Sequence, residues 1–236
     1  MKAEDYQEGQ ILLIDKPLKW SSFQAVNKLK FGLIKELKLP KKFKIGHAGT
    51  LDPLASGLLL ICTGKFTKRI EELQGQVKEY TGTFYLGATT PSYDLETEID
   101  QTFPTNHIDS DLIHKTLPQF LGEIDQKPPI FSAIKKDGVR LYDHARAGET
   151  VEIAFRKTTI HEFEITRIAF PEIDFRVVCS TGTYIRSLAF DFGKALGSGA
   201  HLTSLRRTKI GDFDVKNAMD IKSFDDSIVR TVTQVP

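Results

Sequence analysis

Cysteine, tryptophan and methionine are scarce: the 236 residues hold two, one and two of them. Cys62 and Cys179 lie far apart, each inside an apolar segment. That pattern reads as buried free thiols of a reducing compartment rather than a disulfide. No C-x-x-C occurs, and no grouping has zinc-ligand spacing. Long hydrophobic runs are missing as well, and none approaches the roughly 18 apolar residues of a membrane span. The opening MKAEDYQEGQ is mixed and polar, unlike a secretory signal. The expectation is a cytoplasmic protein with no membrane partner. Nucleotide motifs fail too. Gly64-Lys65 is followed by Phe66 where a P-loop needs Ser or Thr. Gly197-Ser198-Gly199 lacks the third glycine of a dinucleotide fingerprint, and no G-x-S-x-G elbow is present.

What the chain does have is segregated charge. The formal net charge is only +1. Yet from Lys16 to Leu51 nine lysines stand against one acid, Glu36, while 89–111 holds six acids and no Lys or Arg. A lysine-rich stretch alone reads as a solvated helix face. This one runs directly into a glycine-rich loop, where a polyanion would be drawn in.

The patterning predicts an α/β or α+β fold with a large mixed sheet in a single domain, 1–236. Ile11–Asp15 reads as a strand ended by Lys16-Pro17. Ser21 to Gln24 fits a capping box, opening an amphipathic helix to about Lys38. Strands are expected at Leu58–Thr63, Glu79–Leu86, Val151–Phe155, Thr158–Ile168 and Phe175–Ser180. Helices are expected at Thr67–Leu73, Asp109–Leu121 and Tyr184–Leu196. The segment 124–150 reads as a long irregular loop, of the kind that carries function.

Residues 46–57, GHAGTLDPLASG, place a lone carboxylate, Asp52, among small residues and leucines. By itself Asp52 reads as a turn or N-cap residue before Pro53. Together with the upstream LLIDKP-x-x-x-SS, however, this block resembles the start of the TruB family of tRNA pseudouridine synthases. Three further blocks match in order: Lys78-Glu79-Tyr80, then STGTYIRSL at 180–188, then GAHLTSLRRT at 199–208. The resemblance covers about residues 9–212. Only some 29 residues follow Arg207, so the chain resembles a minimal member without the RNA-binding PUA-like domain.

The resemblance implies a pseudouridine synthase fold, with a mainly antiparallel mixed sheet flanked by helices and loops. It also implies isomerisation of uridine to pseudouridine at position 55 in the tRNA T-loop. Breaking N1–C1′ and joining C5 to C1′ involves no redox step, so no cofactor and no metal is expected. Asp52 matches the essential aspartate, as nucleophile or base. Arg186 matches the arginine that keeps it charged, and Tyr80 the active-site tyrosine. Tyr184 and Leu205 are expected as pocket walls, and His47 as the ring that fills the gap left by flipped bases. Lys16, Lys65 and the lysines from 41 to 44 are expected on phosphates, and Asp94 in positioning. Segment 124–150 matches a mobile loop that clamps the RNA stem-loop. The expected partner is the tRNA T-arm, bound by a monomer with no obligatory protein partner. Three rivals share some of these features: a non-catalytic tRNA-folding module, a guide-dependent synthase, and an aspartate-dependent glycoside hydrolase. Intact Asp52, Tyr80 and Arg186 argue against the first, which can also be a second role of the enzyme. Short length argues against the second. The third lacks a second nearby carboxylate.

Overall fold

A computed structural model describes residues 2–149 and 151–233. By internal contacts the chain divides into two compact units, one holding residues up to Tyr80 and from Arg206 onward, the other Thr81–Leu205.

The first unit begins with helix α1 (Ala3–Glu8), strand β1 (Ile11–Lys16) and helix α2 (Ser22–Leu37). The capping box forms as read: Ser21 Oγ accepts from the Gln24 amide, and Gln24 Oε1 accepts from the Ser21 amide. Ala25, Val26, Leu29 and Leu33 form the buried stripe of α2, and Lys38 ends it in a left-handed conformation at φ 52°. Strands β2 (Ile45–Ala48) and β3 (Ala55–Thr63) follow, then a 3-10 turn (Gly64–Arg69), helix α3 (Ile70–Gln74) and strand β4 (Lys78–Leu86). The helix expected at Thr67–Leu73 is therefore split between 3-10 and α geometry. The unbroken run LLLIC in β3 has a simple cause. Leu59 and Ile61 enter the core that holds Ile14, Leu29 and Phe224, while Leu58, Leu60 and Cys62 enter a second core with Ala48, Leu73 and Ile210. A strand covered on both faces loses its polar alternation.

The second unit carries β5 (Ala88–Thr89) paired with β6 (Gln101–Thr102), helix α4 (Ser110–Thr116) and strand β7 (Gly122–Gln126). The helix expected over Asp109–Leu121 is shorter. Asp109 is its N-cap, and a 3-10 turn replaces it from Leu117 to Phe120. Pro118, lacking an N–H, breaks the α pattern there. Segment 124–150 is not structureless. It starts inside β7 and holds a small hairpin, β8 (Lys135–Lys136) with β9 (Val139–Arg140), then helix α5 (Leu141–Arg146). Asp137 and Gly138 at the hairpin tip both have positive φ, the hairpin-turn geometry that Asp-Gly favours. The segment's last residue, Thr150, lies outside the described residues.

Strands β10 (Arg156–Ala169) and β11 (Glu172–Cys179) pair antiparallel, and helix α6 (Ile185–Ala195) follows. Val151–Phe155 is not a strand. Its alternation is real, but these residues are mostly exposed and join no ladder. Phe84, Phe120, Phe163, Phe175 and Phe192 form an aromatic core, with Phe84 stacked on Phe175 at 4.1 Å. Strand β12 (Ala200–Ile210), not anticipated for the GAHLTSLRRT block, runs back to the first unit. There β13 (Phe213–Asp214), β14 (Met219–Asp220) and α7 (Ile221–Thr233) complete it. The sheet order is β14-β1-β3-β12-β4-β11-β10-β7, with β2 on β3 and β13 on β12. The β1/β14 pair is parallel, and the pairs of β1 with β3, β10 with β11 and β10 with β7 are antiparallel. This is the large, mainly antiparallel mixed sheet that was expected. Both cysteines are buried free thiols.

Candidate active site

In the first unit the site is a loop, Gly49–Leu54, strung between β2 and β3. Five consecutive carbonyls of this loop are engaged. Arg207 on β12 donates from Nη2 to Gly49 O at 3.1 Å and from Nη1 to Thr50 O at 3.4 Å. Ser22, in the first turn of α2, donates to Leu51 O at 2.9 Å and accepts from the Leu51 amide at 2.8 Å. The Ala55 amide donates to Asp52 O and the Lys19 amide to Pro53 O. Arg207 Nε also holds Leu58 O at 2.8 Å. Gly57, at φ 105°, makes room for this strand: a Cβ there would lie 2.3 Å from the Arg207 carbonyl oxygen.

The loop presents Asp52, half-buried. Two other predicted residues share its surroundings. Lys16 is fully buried and donates to Trp20 O at 2.6 Å and Pro17 O at 3.0 Å. Burial pushes its pKa down to about 8; the charge of Asp52 works against that shift, and Arg207 adds to it. His47 sits on β2 opposite Ile61. Burial and then the Arg207 charge lower its pKa, against an opposing Gly49 backbone contribution, so the ring is neutral at pH 7. A neutral, half-buried imidazole suits stacking. Tyr80 is buried on β4. Lys65 is exposed and paired with Glu8 at 2.7 Å. Lys41, Lys42 and Lys44 are exposed, and the loop that carries them is anchored by buried Phe43.

In the second unit, Arg186 opens α6 and is only 5% exposed. Its Nε lies 3.7 Å from Asp94 Oδ2, and its Nη1 donates to Ser92 O at 3.5 Å. Asp94 is itself fixed, accepting from the Glu96 amide at 2.9 Å. The turn before α6 is pinned by polar contacts. Ser180 accepts from the Thr159 amide, Thr158 and Thr183 share a hydroxyl contact, and Gln126 bonds both the Tyr184 amide and its carbonyl. Tyr184 is thus held by its backbone, with its ring half-buried. Leu205 is half-buried on β12.

The geometry therefore gathers Lys16, His47 and Asp52 around one loop in the first unit, and Asp94 with Arg186 in the second. Ser22 and Arg207 were not singled out from the sequence. The doubled arginine was the available signal, since alternation along β12 sends one outward and one inward. Arg206 faces Asp15, at 2.6 and 3.0 Å, while Arg207 is buried. Among the described residues, no three His, Cys, Asp or Glu side chains are grouped to hold a metal ion. Among them also, no helix is long and apolar enough to cross a membrane.

Comparison with known proteins adds the following. A family model described as TruB family pseudouridylate synthase (N terminal domain) matches residues 35–185. One described as tRNA pseudouridylate synthase B C-terminal domain matches 186–234. A protein of Flavobacterium johnsoniae named tRNA pseudouridine synthase B is 82% identical over 228 residues, covering 97% of this chain and 100% of the relative. A protein of the same name from Phocaeicola vulgatus is 55% identical over 220 residues, covering 93% of each. A chain solved in a Cbf5-Nop10-Gar1 complex superposes with TM-score 0.72 at 28% identity, over 98% of this chain. Another, from an H/ACA RNP bound to a substrate RNA containing 2′-deoxyuridine, gives 0.67 at 26%, over 96% of this chain. This chain spans 61% and 55% of the length of those two solved chains.

Proposed function

The chain belongs to the TruB family of pseudouridylate synthases, and from that premise we propose that it converts uridine 55 in the T-loop of tRNA to pseudouridine. The near full-length likeness to proteins named for tRNA pseudouridine synthesis carries this reading. Asp52 is the essential carboxylate, acting as nucleophile or base on the flipped nucleotide. The N1–C1′ bond breaks, the uracil turns, C5 joins C1′, the C5 proton goes to solvent and N1 takes one up. The atoms balance without an added reactant.

The other roles follow from chemistry and placement. Arg186, held by Asp94, is the cation that the second unit offers to the reaction, and Tyr80 meets the uracil. Tyr184 and Leu205 offer apolar contact to the RNA, and neutral His47 stacks where bases have left. Exposed Lys41, Lys42 and Lys44 take phosphates, joined by Lys65 once it leaves Glu8. Lys16, being buried, acts on the loop rather than reaching far into solvent. Segment 124–150 clamps the stem-loop. Support for this comes from exposed Lys135, Lys136 and Arg140, and from the Arg140 and Arg146 guanidinium groups over the Tyr142 ring at 5.6 and 5.3 Å. The enzyme works alone in the cytoplasm as a monomer, in one catalytic domain.

The test uses unmodified tRNA transcript carrying tritium at C5 of uridine. Wild-type protein should release tritium to water. The Asp52→Asn variant should lose at least 10³-fold in rate, on the order of a removed catalytic group, and a transcript without U55 should give no release. Tight tRNA binding with no release by the wild type would reject the proposal in favour of a folding module.

A further inference from the structure

We infer that Arg207 and Ser22 are positioning residues that clamp the backbone of Gly49, Thr50 and Leu51 and so fix where the Asp52 carboxylate originates. This rests on the reading of Asp52 as the catalytic group. Neither residue is needed to touch the substrate for the role.

Three observations carry the inference. A guanidinium 1% exposed is costly to bury, and an apolar side chain of similar volume would pack at lower cost. Arg207 is retained with three donors spent on the carbonyls of Gly49, Thr50 and Leu58. The five N–H groups of arginine form a rigid planar fork, so two adjacent loop carbonyls and one strand carbonyl are held in fixed relation. Secondly, Ser22 is 2% exposed and its one hydroxyl both donates to and accepts from Leu51, closing the next residue of the loop. The three residues directly before Asp52 are thus tied to β12 and α2, while Asp52 O and Pro53 O are tied by backbone amides. Thirdly, the contact of β3 with the Arg207 backbone uses Gly57, whose missing Cβ leaves the 2.3 Å approach open. The quoted block at 46–57 and the arginine pair at 206–207 therefore form one device. A displacement of about 1 Å at a reacting group can cost roughly 10²-fold in rate, so this loop is where backbone precision matters.

The experiment measures single-turnover pseudouridine formation on a T-arm stem-loop, with RNA affinity and melting temperature measured in parallel. The proteins are wild type, Ser22→Ala, Arg207→Met, Arg207→Lys and Asp52→Asn. Ser22→Ala and Arg207→Met should slow the single-turnover rate by roughly 10- to 100-fold, assayed well below their melting temperatures, with RNA Kd within about twofold. Arg207→Lys keeps the charge without the fork and should recover only part of the rate. If Arg207→Met fails to fold, Ser22→Ala decides, because it removes one oxygen and leaves the arginine in place. Folded variants that melt earlier yet turn over at the wild-type rate would overturn the inference and leave both residues as purely structural. Activity surviving in Asp52→Asn would instead reject the role of Asp52, and with it the premise.

Discussion

Among the described residues of the first unit, Lys16, Lys78 and Arg207 are buried cations, and all three point at backbone carbonyls. Lys16 faces Pro17 and Trp20, Lys78 faces Gln74 and Gln76, and Arg207 faces Gly49, Thr50 and Leu58. Each ion satisfies groups that burial would otherwise orphan. That arrangement is hard to read from sequence, where an exposed lysine is the sound default. The clue for Lys16 was its position: it closes the alternation of β1, in which Leu12, Ile14 and Lys16 are the buried members. The reading of Asp52 as a chemical group, by contrast, rests on the resemblance of its block to the TruB family, since by itself the residue reads as a turn or N-cap before Pro53. Lys16 also makes a testable statement about pH. Its pKa falls from the ordinary 10.5 to about 8 on folding. Between those values the unfolded chain binds the proton and the folded chain does not, so stability rises with pH in that window. Below pH 8 both states are protonated and the burial penalty is at its full value. The melting temperature of wild type relative to Lys16→Met should therefore climb between about pH 8 and 10.5. A difference that stays flat over that range would refute the assignment.

The main strands, α2 and α6 were legible because their hydrophobic periods agree with their caps and stops. Gly197, at φ 69°, follows α6 as expected of a C-terminal glycine. The errors have local causes. Pro118 shortened a helix, Val151–Phe155 alternates without a partner strand, and β12 hid its inward arginine among polar residues. Segment 124–150 looked irregular because its elements are two to six residues long, too short to show a period. Helix α6 carries Arg186 in its first turn and Asp191 on its second half, and the two differ in kind. Asp191 has its pKa raised to about 6 by burial, with Lys194 opposing the shift. A raised carboxyl contributes stability below its ordinary value near 3.8 and loses it as pH rises through 6. At neutral pH its ionisation therefore works against the helix it sits on. Asp191→Asn should gain melting temperature relative to wild type between about pH 4 and 6.5 and hold that gain to pH 8. Thermal melts across this range decide it, and a constant difference would show that Asp191 ionises in the folded protein as it does in the unfolded chain.

For the whole molecule, a net charge of +1 supplies no general attraction to RNA, so affinity must come from how charge is sorted. The sorting is sharper than the sequence suggests, because the acidic run at 89–111 is partly consumed inside the fold. Asp94 is buried with Arg186, Asp100 accepts from Thr89 at 2.7 Å, and Asp109 caps α4. The basic block is used differently. Lys28 pairs with Asp225 at 2.7 Å, but Lys41, Lys42 and Lys44 stand exposed around buried Phe43, immediately before β2 and the Asp52 loop. Phe43 turns a lysine run into a structured platform, since one aromatic ring in the core fixes the backbone that carries three ammonium groups. If those groups neutralise phosphates, each releases counterions, and binding must weaken with salt in proportion to their number. Replacing all three with alanine, while keeping Phe43, should weaken tRNA binding most at low salt. The slope of log affinity against log salt should fall by roughly 2 to 3, at about 0.7 to 0.9 per lost contact. The single-turnover rate on saturating tRNA should stay within about twofold of wild type, because these lysines hold the backbone and not the reacting base. An unchanged salt slope would place the RNA path away from this block, and an equal loss at every salt concentration would mean that the platform acts through its shape and not its charge.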